Sequence, residues 1–324
     1  MEFCPYRLPI EAPISSQSRE EVIEGLLLKE GNFFSVFQKW PATSWEIQEM
    51  LLKQHHLSEL KSDFPFWSGR YEDLLLQYGY RFDDGDCMLA RPRVHISGGS
   101  LASHDRESLE RLSRNAQMNS DSLVKFKMGV DLPKERELLL SALDLPFRLR
   151  MDFSNSLSYH ECHSFLESLP LEVIAQIDCL EDPCEYSDRD WAALKKEFEV
   201  LLASDFQKDK SACHEADYWV VKISQNFQLE LDLALTSNKK ILITSNMEHP
   251  IGEAYAYFMA AHWQQQFGEQ FVEAGVMPSL LYRGSGPAIL HWNQFLNETE
   301  KTWSDVDFQP FLQEEAWQDW IESA

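Results

Sequence analysis

Charged residues recur at one kind of position along this chain, the end of a short apolar stretch. Lys125-Phe126-Lys127 closes SLVKFK at 122–127, Asp152 closes FRLRMD at 147–152 and Glu181 closes VIAQIDCLE at 173–181. Asp205 closes FEVLLASD at 198–205, and Lys222 stands one residue from the end of YWVVKI at 218–223. From Lys127 onward the steps are 25, 29, 24 and 17 residues, each close to one strand plus one helix. Lys125 and Lys127 are two apart, so on a strand they point the same way. Three carboxylates flanked by lysines offer oxygen ligands only, which favours Mg²⁺ over a softer metal.

The elements that must position these groups are written in the same stretch. From about Arg93, short strands alternate with amphipathic helices. Asp131 followed by Pro133 opens one helix as N-cap and first-turn proline. Others are expected at 159–169, after Ser187-Asp188-Arg189-Asp190 (a capping-box pattern with Asp for Glu) and at 250–268; a further strand is expected at 240–245. Such alternation implies parallel strands joined by right-handed crossovers. The length accommodates about eight units of roughly 25 residues, the count of a TIM-type barrel, whose strand ends meet at one mouth. The first ninety or so residues differ. A hairpin is expected from 22–28 and 33–37 about Gly31, then a helix to about 56 opened by the capping box Thr43-Ser44-Trp45-Glu46, then a helix at 69–78. This divides the chain into an α+β capping domain at 1–91, a barrel at 92–298 and an acidic segment at 299–324 with Trp303, Trp317 and Trp320, expected to pack back on the cap.

Composition narrows the partners. Of 324 residues, 44% are hydrophobic and 25% charged, the balance of a globular protein. The formal net charge is −24 with no basic stripe, which argues against nucleic acid. No apolar run approaches the ~18–20 residues of a membrane span, and 1–13 lacks the apolar stretch of a signal peptide. The six scattered cysteines read as free thiols in a reducing cytoplasm. A cytoplasmic protein acting on a small molecule is expected, and the sequence does not give its oligomeric state.

The pattern resembles the enolase superfamily, its muconate-lactonizing-enzyme-like branch, and within that the o-succinylbenzoate synthase family of menaquinone biosynthesis. The motifs that carry the resemblance are Lys125-Phe126-Lys127, Arg150-Met151-Asp152, Leu180-Glu181-Asp182-Pro183-Cys184, Ala203-Ser204-Asp205, Val220-Val221-Lys222, and Ile243-Thr244-Ser245-Asn246-Met247-Glu248 with Gly252. Each is short; their order and spacing together are specific. The resemblance implies a (β/α)7β barrel, a modified TIM barrel, with an N-terminal α+β cap completed by the C-terminal segment. It implies Mg²⁺ on Asp152, Glu181 and Asp205. Lys127 becomes the base that takes a proton next to a carboxylate of the substrate, and Lys222 the opposing ammonium. Lys125 supports Lys127, and Arg150, Ser245 and Asn246 become substrate contacts. A proton alpha to a carboxylate is very weakly acidic, and its loss creates charge that a divalent cation neutralises. Nearby positive charge disfavours the ammonium form of a lysine and so favours a base. The same two lysines could instead racemise an N-acylamino acid, such as an N-succinylamino acid. A metal-binding barrel that has lost catalysis is a further alternative.

Three departures from the family pattern bear on substrate more than on reaction type. Ser154 stands where an Asn is usual, Phe206 follows the third acid where another acid is usual, and the segment 31–45 lacks the usual acid of the cap loop. Other suggestive clusters read blandly. His160-Glu161-Cys162-His163 lacks the HExxH spacing. Asp83, Asp84 and Asp86 lack the Glu of a calcium loop, since position 91 is Arg91. Gly98-Gly99 reads as a barrel-loop turn, and Cys184 as a structural thiol.

Overall fold

The computed structural model describes residues 2–9, 22–30, 33–38, 92–118, 123–207, 210–222, 227–237, 239–245, 250–276 and 318–319. The expected helices at 43–56 and 69–78, the acidic turn at 83–86 and Asn246 lie outside these residues.

Near the N-terminus, β1 (Glu2–Pro9), β2 (Val22–Glu30) and β3 (Phe33–Gln38) form an antiparallel sheet. The β2–β3 hairpin pairs Leu28 with Ser35. On the other side of β1, Glu2 and Phe3 pair with Asp319 and Gln318 of a short strand near the C-terminus.

A second sheet holds seven parallel strands in chain order: β4 (Ile96–Ser100), β5 (Leu123–Lys127), β6 (Arg148–Asp152), β7 (Ile177–Glu181), β8 (Leu202–Ser204), β9 (Tyr218–Lys222) and β10 (Lys240–Thr244). Residues 271–276 close it. They bridge β10 through Ile241–Phe271 and Thr244–Gly275, and the approach to β4 through Val94–Ala274. The N–H of Gly275 donates to the Ile243 carbonyl at 2.7 Å, and that of His95 to the Ala274 carbonyl at 2.9 Å. The result is an eight-stave parallel barrel. Gly275 is required at this seam, because a Cβ there would stand 2.6 Å from the His95 ring.

Helices cover the outside: α1 (Arg106–Met118), α2 (Leu132–Ser141), α3 (Tyr159–Glu167), a turn of helix α4 (Leu171–Ile174), α5 (Asp188–Phe198), α6 (Phe227–Thr236) and α7 (Pro250–Phe267). Their starts follow local chemistry. Asp131 accepts the Lys134 N–H at 3.2 Å and Pro133 sits in the first turn of α2. Ser158 and Glu161 form a capping box on α3, and Ser187 accepts the Asp190 N–H at the start of α5. Alternation along the strands separates two cores. Val124, Phe126, Leu149, Met151, Trp219, Val221, Ile241 and Ile243 pack outward with Leu139, Phe165, Trp191 and Trp263 of the helices. Cys179, Ala203, Tyr218, Val220, Leu242 and Val272 cluster separately, filling the barrel interior.

Local expectations change in three places. The strand read at 173–181 begins only at Ile177, because Leu171–Ile174 form a helical turn after Pro170. The strand read at 198–205 shrinks to Leu202–Ser204, because α5 runs through Phe198 and ends on Glu199 in the left-handed region, φ 54°. Gly98-Gly99 is a bulge inside β4 rather than a loop turn; the register shifts between Ser97 and Gly99, and Gly99 has φ 69°.

Candidate active site

Parallel register places the charged strand ends side by side. Lys127 on β5 is the Cα partner of Asp152 on β6, and Asp152 is that of Glu181 on β7. Asp205 follows β8 directly, and Lys222 ends β9. In an eight-stave barrel β5 and β9 are four staves apart, so their lysines face each other across the mouth.

The side chains interlock. Lys125 Nζ donates to both carboxylate oxygens of Glu181 at 2.6 Å and lies 2.8 Å from Asp152 Oδ2. Lys127 Nζ donates to Asp152 Oδ2 at 2.5 Å and to Ser154 Oγ at 3.0 Å. Lys222 Nζ donates to Asp205 Oδ2 at 2.6 Å. Burial opposes every charge here, yet the pairs decide most of the outcome. Desolvation pulls the Lys125 ammonium down, but Asp152 and Glu181 outweigh it and hold it above its usual range. Desolvation pushes Asp152 up, but Lys125 and Lys127 drive it far below the ordinary carboxylate range. Glu181 goes the other way: burial and then the Asp152 charge raise it. For Asp205, Lys222 and Lys210 overcome burial and lower it, and Asp205 in turn raises Lys222 against the effect of burial.

Sequence reasoning missed several supporting groups. Ser154 holds φ 51°, and its hydroxyl donates to Asp152 Oδ1 at 2.9 Å while accepting from Lys127. It thus tethers both groups. Asp182, buried and with φ 42°, turns its carboxylate away from the row to accept the N–H groups of Asp205 and Phe206 at 3.2 and 3.0 Å. The signal was the doublet Glu181-Asp182, since only one of two successive strand-end residues can face inward. Glu135, fully buried, accepts the N–H groups of Gly129, Val130 and Asp131 and fixes the loop that leaves Lys127. Lys210 is buried with Nζ 2.5 Å from the Val220 carbonyl. Nothing in its polar surroundings, Gln207 to Ser211, marked it as buried.

Arg150, read from the sequence as a substrate contact, lies inside the barrel. Its guanidinium is fully buried below the mouth, in register with Lys125 and Cys179. It donates to Asp178 Oδ2 from Nε and an NH2 group at 3.2 and 2.7 Å, to His95 Nδ1 at 2.7 Å and to the Glu273 carbonyl at 2.9 Å. Ser245 is buried at the end of β10, its N–H donating to the Gly275 carbonyl at 3.0 Å. The residue in register with Lys222 is Thr244, whose buried hydroxyl finds no hydrogen-bond partner. His163 pairs with Glu197 at 3.0 Å on the outer helices. Burial pushes the Cys184 thiol up to about 11, unsuited to a nucleophile.

Among the described residues no three acidic, histidine or cysteine side chains form a ready-made metal cage. Asp152 and Glu181 share the Lys125 ammonium, while Asp205 is turned onto Lys222. The donor set nonetheless fits a hard divalent cation. It is all oxygen, and it is crowded enough that Asp152 and Asp205 both raise Glu181.

The fold is shared with solved barrel enzymes. One is a muconate lactonizing enzyme from Pseudomonas putida, with a TM-score of 0.61 at 12% identity, covering 87% of this chain and 89% of that one. Another is the o-succinylbenzoate synthase of Thermosynechococcus elongatus BP-1 complexed with Mg in the active site; its TM-score is 0.60 at 17% identity, over 87% of this chain and 94% of that one. More particularly, the chain is similar in sequence to the o-succinylbenzoate synthase of Bdellovibrio bacteriovorus, 26% identical over 303 residues and 87% of each chain. No protein-family model matches it.

Proposed function

We propose that the chain is a lyase, an o-succinylbenzoate synthase. It would dehydrate 2-succinyl-6-hydroxy-2,4-cyclohexadiene-1-carboxylate to o-succinylbenzoate, a step of menaquinone biosynthesis in the cytoplasm. The observation that carries this reading is the row of three carboxylates between lysines four staves apart, in a chain similar to a named o-succinylbenzoate synthase.

Asp152, Glu181 and Asp205 would hold Mg²⁺, which when bound supplies Lewis-acid stabilisation of the negative charge that develops on the substrate carboxylate. Lys127 is the base. Of the two β5 lysines it lies nearer the strand end and is the more exposed, 27% against 14% for Lys125. Asp152 and Ser154 aim its Nζ, which takes the proton alpha to the carboxylate and then returns it to the departing hydroxyl, so that water leaves. Lys222 keeps its proton and faces the developing charge from the opposite stave. Lys125 pairs with Asp152 and Glu181 and supports Lys127 beside it. Aromatisation of the ring makes the overall step strongly downhill, so the protein need lower only the first barrier. Ser245 and Asn246 are the candidates for the substrate's succinyl end.

The test is turnover of that substrate with Mg²⁺ beside proton exchange of N-succinylamino acids in D₂O. Dehydration is expected; exchange of the amino acids without dehydration would replace this reading with the racemase.

A further inference from the structure

Phe206 is out of place by composition: a phenylalanine directly after the third acid of the row, its side chain nearly half exposed at 46%. Large apolar side chains at the rim of a charged mouth lose the benefit of burial. Two observations give this one a task. Its ring centroid lies 5.6 Å from Lys222 Nζ, with the ammonium over the ring. Its backbone is fixed as well. The Asp182 carboxylate accepts the N–H groups of both Asp205 and Phe206, and Asp182 takes a left-handed backbone, φ 42°, to do so. The Lys222 ammonium therefore has two anchors on adjacent residues, the Asp205 carboxylate at 2.6 Å and the Phe206 ring. A cation within about 6 Å of a ring centroid is attracted by the negative face of the ring. A carboxylate at position 206 would compete with Asp205 for the ammonium, whereas a ring attracts it without forming a second salt bridge.

We propose that Phe206 is a positioning residue for Lys222, holding the ammonium over its ring so that it faces the reacting atoms. This rests on the reading of Lys222 as the opposing lysine. Exposure makes the position tolerant, so its variants should fold. Phe206→Leu keeps apolar volume and removes the ring; Phe206→Tyr keeps the ring.

Two readouts test it on the full chain with Mg²⁺. In protein carrying ¹³C-labelled lysine, with the Lys222 resonance assigned by its loss in Lys222→Met, the ε-methylene of Lys222 should be shifted upfield by the ring. That shift should vanish in Phe206→Leu and persist in Phe206→Tyr. In turnover of the dehydration substrate, Phe206→Leu should lower kcat about threefold to fivefold, the span of an exposed cation–π contact, with KM little changed and with rescue by Tyr. A Lys222 resonance at its ordinary position in the unsubstituted chain, or one that does not move in Phe206→Leu, overturns the proposal whatever the turnover. So does a kcat within twofold of the unsubstituted chain. If the ring shift behaves as described but the unsubstituted chain dehydrates nothing, the assigned reaction fails and the ring's hold on Lys222 stands.

Discussion

The barrel contains two layers of charge, one at the mouth and one below it, and they are built on different chemistry. In the lower layer Arg150, fully buried, and Arg148, exposed at the strand's start, clasp Asp178. Arg148 reaches Glu273 at 3.0 Å, and Arg150 adds His95 and a backbone carbonyl. The cations are arginines, which do not give up a proton in proteins. His95 is held neutral by burial and then by the Arg150 charge, so its Nδ1 accepts. In the upper layer the cations are lysines, and three acids share three ammonium groups. Asp152 is driven down while its neighbour Glu181 is driven up. Under the proposed function the upper layer is the one that holds the metal and moves the proton, and the lower layer, with its arginine donors matched, is the one that holds shape.

Lys127→Ala should cut the mouth out of this comparison most sharply. Turnover should fall by roughly 10³-fold, within the span of a lost general base, while the melting temperature falls less than in Arg150→Met, because Lys125 still pairs with Asp152. Arg150→Met should do the reverse. Losing one partner of a buried ion pair costs about 3–5 kcal/mol, read as a lower urea midpoint, while kcat per folded molecule is kept. A large loss of kcat without loss of stability would instead return Arg150 to the substrate site.

Within the mouth, the two neighbouring acids should behave with opposite sign in metal-free protein. Asp152 is depressed in the folded state, so it contributes stability above its unfolded value. That contribution is lost as pH falls through the folded value, below the usual carboxylate range. Asp152→Asn should therefore destabilise at neutral pH. Glu181 is raised, so its ionised form opposes folding, and the opposition is relieved as pH falls through its folded value. Glu181→Gln should raise the urea midpoint at pH 7, and the gain should shrink on acidification. Both should lose Mg²⁺ binding in calorimetry. The smallest effect belongs to Ser154→Ala, which removes one hydroxyl bridging Lys127 and Asp152. About 1 kcal/mol, or roughly fivefold in kcat, is expected, and Ser154→Asn should restore part of it if an amide can fill the same bridge.

Much of this was legible because period and spacing are local properties. The alternation of strand and helix, the N-caps at Asp131 and Ser187 and the inward pairing of Lys125 with Lys127 follow from neighbours in the chain. Depth does not. Arg150 and Asp152 share a face and a motif, yet one is a core clasp and the other a mouth acid, and only the register against β5 and β7 separates them. The closing stave at 271–276 is short and interrupted, and becomes a strand through partners more than 25 residues away. Phe206 and Lys210 act through residues on other staves, which sequence spacing does not display.

The central claim is that Lys127 takes a proton alpha to a carboxylate in this mouth. Its most direct test is dehydration of 2-succinyl-6-hydroxy-2,4-cyclohexadiene-1-carboxylate, followed by absorbance with Mg²⁺ present, for the unsubstituted chain and Lys127→Ala. Turnover by the first, with loss of roughly three orders of magnitude in the second, is the predicted result. Equal turnover by both, or none by the unsubstituted chain, would contradict it.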